Sequence, residues 1–491
     1  MKNRLKQILD ENRGLEIVSV LFFYFSLIVI PLYMEDRYFN ILEAKWHIYV
    51  AGSSVLLFAA ALILIKSKGR GLIRKACSGA MIPLDWLIVA FALNALISSM
   101  LSSNFKDSFL GMDGWHVGAF TIVTLAVWYL ILKDNLPRNQ NIWLPVMIVT
   151  CVIVVIAMIQ AMRIDIFQLH LGAHQSQYHK YITTLGNGNW VVGYVSLLFP
   201  LFLGFYLNSE DRDSERIYEV FLFLLCMLMV LTGSDGMYVG IGILAFFLLP
   251  YVFRDQTRFR KTMLVTIMYG VCLMMVSMLP AFVGKRLSMR RLAGFFLRPY
   301  IAFAVLLIGL IGYMVAKKVK SSANLIKAGR RVEIGLAALV GVISIHALSF
   351  FDHTWGTGRA WTWMKSVEKY KDFSALEKLF GVGPELLRSR YEDLSEYFGK
   401  PLTVSHSEPL QILLTMGAVG LIIWLAICFT IIFKFMKSRA WRSDSCIYYL
   451  PLFMYWGQSL VNSAMTTNVV VLIIAIAMLR QNMEEYTVSE V

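Results

Sequence analysis

Apolar runs of roughly 17 to 25 residues, each long enough to cross a ~30 Å hydrocarbon layer, recur along nearly the whole 491-residue chain. Only helices or closed barrels satisfy their backbone polar groups in lipid, so runs of this length constrain the chain to a helical membrane bundle. They fall near 17–33, 46–65, 82–101, 114–132, 142–161, 189–208, 217–232, 236–253, 263–283, 299–316, 334–350, 408–433, 447–462 and 463–480. The expected fold is all-α: a polytopic transmembrane bundle of about 12–14 spans. A content of 58% hydrophobic and only 16% charged residues agrees, lying well outside globular usage. The basic opening, MKNRLKQILDENR, is followed by no small-residue cleavage signal and reads as an uncleaved signal anchor. Cys77, Cys151, Cys226, Cys272, Cys428 and Cys446 show no paired spacing, so packing is expected of them rather than disulfides or zinc.

Charge sets the expected orientation. Apart from Arg480 at the very end of 463–480, no Lys or Arg falls inside a proposed span, and with a cytoplasmic N-terminus 28 of the 46, Arg480 included, lie in cytoplasmic segments. Of the other 18, eight sit in one loop, 351–407, and five in 284–298. This positive-inside bias puts both termini in the cytoplasm. The net charge of +14 then reflects loops near anionic lipid, and no nucleic-acid partner is needed. Residues 1–350 read as helices 1–11, 351–407 as an external loop, 408–480 as C-terminal spans and 481–491 as a cytoplasmic tail.

Two external segments exceed what topology requires. GKRLSMRRLAGFFLR (284–298) carries Lys285, Arg286, Arg290, Arg291 and Arg298 with no acid. The long loop is neutral, aromatic and large enough to hold short interfacial helices. WTWMKSVEKYKDFSALEKLF (361–380) has helical apolar spacing ending at Gly381, and GVGPELLRSRYEDLSEYFGK (381–400) opens a second helix with Pro384 in its first turn. The Gly381/Gly383 segment is either a turn and cap or an N-terminus whose free N–H groups receive a phosphate oxygen. Upstream, Arg359 stands among Trp355, Trp361 and Trp363; its planar fork suits bidentate phosphate contact, while tryptophan is enriched at any membrane interface. The loop closes on TVSHSEPLQ (403–411), where Ser405, Ser407 and Pro409 suit a helix start and His406 is delivered to the membrane surface.

In order, TTLGNGNWVVGYVSLLFPL (183–201), LTGSDGMYVGIGIL (231–244), GRAWTWMKSVEKYKDFSALEKLFGVGPE (358–385) and SHSEPLQILLTMGAVGLIIW (405–424) resemble the motifs of the O-antigen ligase and polysaccharide polymerase-like integral membrane glycosyltransferases. The resemblance implies a GT-C-like bundle in the bacterial cytoplasmic membrane. It also implies transfer of a glycan from an undecaprenyl-diphosphate-linked oligosaccharide donor to a hydroxyl of a glycan, lipid or wall acceptor. One departure stands out: where the family commonly has Ser-Arg-Gly, this chain has Ser234, Asp235 and Gly236.

Such a transfer needs a base for the acceptor hydroxyl and positive charge for the departing diphosphate. A histidine, with an ordinary pKa near ~6.5, suits the first task and an arginine the second. The expected catalytic residues are therefore His406 and Arg359, with Lys285, Arg286, Arg290 and Arg291 supplying the charge missing at Asp235. Trp361 is a candidate for sugar stacking and Glu408 for orienting the imidazole. Asn187 and Asn189 are candidates for sugar or phosphate contact, or equally for a turn and cap. Fixed cations make a metal unnecessary, and His170, His174 and His179 are too irregularly spaced to suggest one; no cofactor is expected. The rival class is a transporter or flippase of the same lipid-linked oligosaccharide, which would place ionisable residues at the membrane midplane.

Overall fold

The computed structural model describes residues 11–67, 81–111, 115–172, 181–283, 291–319, 322–349, 353, 355–390 and 404–488. In chain order the long helices are α1 (Arg13–Leu32), α2 (Ile41–Ser67), α3 (Pro83–Leu101), α4 (Ala119–Asn135), α5 (Leu144–Ala161), α6 (Gly188–Asn208) and α7 (Arg212–Leu231). They continue as α8 (Asp235–Val252), α9 (Gln256–Val283), α10 (Pro299–Lys318), α11 (Ser322–Ser349), α12 (Glu408–Lys437), α13 (Cys446–Ser459) and α14 (Thr466–Val488). Ten are long and apolar enough to cross a membrane, and α4, α7, α11 and α13 occupy the four remaining expected positions. The chain is an all-α polytopic bundle. Among the described residues its only strands are the antiparallel pair Tyr181–Ile182 and Gly186–Asn187, with Tyr181 opposite Asn187.

α6 is the axis. Its sequence is apolar on every face, which suits a helix surrounded by others, and 94% of its span is buried. α7, α8, α13 and α14 surround it. α10, only 17% buried, rests mainly on α9 and turns Phe303, Ile308 and Ile311 outward, as lipid permits.

The structure corrects the expectation that no lysine or arginine enters a span. Lys45 lies in the first turns of α2, wholly buried, and its ammonium donates to the carbonyls of Ile30 (2.8 Å), Pro31 (3.0 Å) and Tyr33 (3.0 Å). These carbonyls end α1, which has just passed a π-helical turn at Phe25–Val29 and Pro31. Lys261, early in α9, likewise caps the end of α6 through Tyr206 O (2.9 Å) and Ser209 O (2.6 Å) and pairs with Glu215. Both lysines meet C-terminal carbonyls, where the helix dipole favours positive charge. A hydropathy pattern does not register such a partner.

At the end of the bundle opposite the long loop, Asp85 of α3 is fully buried and accepts from Tyr129 Oη (2.5 Å) and from Arg480 Nε (3.2 Å), with Lys133 Nζ at 3.4 Å. α14 does not stop at Arg480: Gln481 donates to the terminal carbonyls of α4, Leu132 (3.2 Å) and Leu136 (2.9 Å), and the helix runs on to Val488.

The long loop contributes a 3₁₀ turn, Trp355–Gly358, and helices Arg359–Lys371, Ala375–Phe380 and Leu387–Arg390. The helix expected over 361–380 divides at Asp372 and Phe373. A second start is written there: Ser374 Oγ accepts from Glu377 N (3.2 Å) while Glu377 Oε2 accepts from Ser374 N (2.9 Å), a complete capping box. The helix expected from Pro384 begins three residues later, and residues 391–403 lie outside the described residues.

Asp85→Ala should destabilise the protein by roughly 3–5 kcal/mol, because it strands Lys133 and Arg480 in a buried site; unfolding in mixed micelles measures the loss.

Candidate functional site at the loop end of the bundle

α12 is broken at Gly417, nine residues after Glu408. Gly417 adopts φ 72°, ψ −174° inside it, a conformation that an L side chain resists. The break frees carbonyls that an intact helix would bond, and each finds another donor. Leu414 O takes Val382 N (3.1 Å), Thr415 O takes Gly383 N (3.0 Å) and Ser98 Oγ (2.7 Å), and Met416 O takes Asn94 Nδ2 (3.0 Å). Gly381, at φ 80°, and Gly417 lie so close that a Cβ on Gly381 would overlap the Thr415 carbonyl and one on Gly417 the Leu379 carbonyl.

This geometry answers the question left open at Gly381–Gly383. The N–H groups of Val382 and Gly383 are spent on α12, so the segment is an interlock between loop and bundle and not a phosphate cradle.

The helix Arg359–Lys371 is carried on that interlock. Arg359 is buried at 5% exposure; its Nη2 donates to Asn462 Oδ1 (3.3 Å) and its Nη1 reaches Gly356 O (3.5 Å). One turn further along the same face, Trp363 Nε1 donates to Ser405 O (3.0 Å). One short helix thus faces Asn462 through Arg359 and the His406 turn through Trp363.

His406 has φ 53°, in the left-handed region that costs a non-glycine residue about 1–3 kcal/mol. Three contacts hold the turn around it. Ser405 Oγ donates to Ser407 O (2.8 Å), Gln411 Oε1 accepts from Ser405 N (2.9 Å), and Gln411 N donates to Ser407 O (2.8 Å). The Gln that follows His406 by five positions therefore fixes the turn that presents the imidazole. Glu408 is buried, and its carboxylate accepts from Tyr455 Oη (3.2 Å) with Trp424 also donating to it.

The turn Ser234–Gly236 is a junction of four segments. Ser234 Oγ donates to Asn189 Oδ1 (2.6 Å). Asp235 Oδ1 accepts from the backbone N–H groups of Leu292 (3.0 Å) and Ala293 (3.1 Å). Gly236 abuts the carboxamide of Asn462, the partner of Arg359. Asp235 therefore occupies the first turn of α8 as an anchor for the short helix Arg291–Phe296, and Phe296 stacks on Tyr238 (4.3 Å, 7°). Lys285, Arg286 and Arg290 lie outside the described residues; Arg291 begins the anchored helix.

Asn187 caps α6 by accepting from Asn189 N (3.0 Å), so the Gly-Asn-Gly-Asn stretch is a cap tied to the Ser234 turn. Trp361 packs edge-on against His353 (5.9 Å) with Lys365 Nζ over its ring at 5.2 Å. His170 is not a solvated loop residue: its side chain is 12% exposed, with Nδ1 3.1 Å from Asp165 Oδ2 and Nε2 3.2 Å from Tyr181 O. His174 and His179 lie outside the described residues.

Sequence reading missed Asn462, which lies inside the polar run VNSAMTTN between two apolar stretches read as adjoining spans. That run was the available signal, since amides and hydroxyls between spans need partners.

A polytopic bundle whose buried arginine, strained histidine and shared asparagine gather at one end is a multi-pass membrane protein with a single polar working face. Residues 220–425 match the model of a family described as O-antigen ligase; over this stretch the chain is similar to that family. A search of curated proteins gives no match. The matched stretch contains Ser234–Gly236, Arg359 and His406, while Asn187, Asn189 and Asn462 stand outside it.

Gly417→Ala and Gly381→Ala should each lower stability by at least ~1–3 kcal/mol, seen as a lower midpoint of thermal unfolding in detergent.

Proposed function

We propose that the protein transfers a glycan from an undecaprenyl-diphosphate carrier to an acceptor hydroxyl at the outer face of a bacterial cytoplasmic membrane. His406 is the general base and Arg359 the principal diphosphate ligand. The observation that carries this reading is the helix Arg359–Lys371, which places Arg359 and, one turn on, the contact to the His406 turn at the same end of the bundle. An imidazole nitrogen takes the proton of the acceptor hydroxyl as its oxygen bonds the anomeric carbon. The bond from that carbon to phosphate breaks, and the electron pair leaves on the diphosphate. Arg359, charged at all physiological pH, receives the developing charge with a geometry suited to two phosphate oxygens.

Lys285, Arg286, Arg290 and Arg291 belong to this reading as additional positive charge for the donor. Asp235 supports it by fixing the main chain at Leu292 and Ala293, immediately after the basic run. It thereby serves the place where the family arginine would stand, holding a cationic segment in its stead. Both termini are assigned to the cytoplasm by the distribution of basic residues, and fixed cations do the work of a metal.

Arg359→Ala and His406→Ala should each reduce transfer by roughly 100-fold or more with folded protein retained in the membrane; near-normal product from either removes that residue from the mechanism. Transfer should persist after chelation of divalent metals. The carrier-linked glycan that accumulates when the protein is removed separates the two activities: single repeat units indicate a polymerase, finished polymers a ligase.

A further inference from the structure

Between α3, α4, α12 and α14 lies a cavity of about 160 Å³, against the roughly 10–15 Å³ that one water needs. Its walls are aliphatic and aromatic, including Ile88, Leu125, Ile427 and Ile476. Its polar groups gather where α12 meets the long loop: Glu385, Glu408, Gln411 and Ser463. Among the described residues no Lys, Arg or His lines it.

The chemistry of this polar end selects among ligands. Gln411 Nε2 and Ser463 Oγ are shielded from solvent and have no hydrogen-bond partner in the protein, and a buried donor left unpaired costs about 1–3 kcal/mol. Glu408 and Glu385 offer carboxyl groups beside them, Glu408 accepting from Tyr455 Oη and Trp424 and Glu385 from Val117 N–H. Burial pushes the Glu385 carboxyl up to about 8, against the pull of that N–H. A diphosphate would enter as an anion with no cation to meet it. An ammonium would leave Gln411 Nε2 unpaired. A hydroxyl accepts from Gln411 or Ser463 and donates to a carboxyl oxygen, satisfying both sides at once.

We propose that this cavity binds an uncharged, hydroxyl-headed amphiphile, its apolar chain between α3, α4, α12 and α14 and its hydroxyl among Glu385, Glu408, Gln411 and Ser463. The ligand class follows from the cavity alone. Its role as the acceptor, with the diphosphate donor held separately at Arg359, rests on the transferase reading above. The proximity of Gln411 to both places supports that role, because its other amide atom holds the His406 turn.

The test uses the full-length protein in amine-oxide micelles, which carry no hydroxyl. Native mass spectrometry would follow retention of dioctanoylglycerol, dioctanoyl phosphatidic acid and a dioctanoyl trimethylammonium lipid. Dioctanoylglycerol should be retained at one per chain, in preference to both charged lipids. Ala126→Phe, which fills the apolar section, and Ser463→Ala, which removes a hydroxyl, should each weaken retention about tenfold. Should Ala126→Phe fail to fold, Ser463→Ala decides. Equal or stronger retention of either charged lipid, no retention at all, or retention unchanged by the substitutions would overturn the proposal. Because binding is read without transfer, loss of this site and loss of the Arg359–His406 mechanism remain separate outcomes.

Discussion

The working face depends on one broken helix. Where Gly417 interrupts α12, Leu414, Thr415 and Met416 turn their carbonyls to donors outside the helix, and in the interior of a membrane bundle such groups must be paired. The loop supplies two donors, Val382 and Gly383, and α3 supplies Asn94 and Ser98. A defect in one helix is thereby turned into the attachment of a loop to two. The glycines at 381 and 417 allow the two main chains to touch, and a side chain at either would separate them. Because the helix bearing Arg359 continues into this attachment through the capped turn at Ser374, the position of the guanidinium is set by hydrogen bonds to α12, not by the loop's own stability.

A second consequence concerns Asp235. Its carboxylate holds Leu292 and Ala293 by their N–H groups. Its neighbours bind Asn189 on one side and Asn462 on the other. The charge of Asp235 is met locally by these backbone donors, and Arg359 donates to the carboxamide of Asn462.

Much of the architecture is legible in the sequence because apolar length is a strong and local signal. Every expected span meets a helix, including the short α13. What escaped the reading is non-local. Lys45 and Lys261 look like loop residues until the carbonyl ends of α1 and α6 are placed beside them. Gly381 and Gly383 carry the spacing of an anion-binding turn, and only the break in α12 shows where their N–H groups go. Asn462 sits at the boundary between two adjoining expected spans, and its importance comes from Arg359, 103 positions earlier. His406 and Arg359 were legible individually; the helical turn that relates them through Trp363 was not.

The ion cluster at the opposite end bears on how the molecule is made. Asp85 and Arg480 are 395 positions apart, and α3 and α4 leave the ribosome long before α14 exists. Until then Asp85 has Lys133 and Tyr129 for company, and the guanidinium that completes its shell arrives with the last described helix. The order of synthesis is therefore built into the fold's electrostatics: closure of the bundle around Asp85 is a late, post-insertion event, and a nascent chain halted before α14 would carry an incompletely satisfied carboxylate that marks it as unfinished.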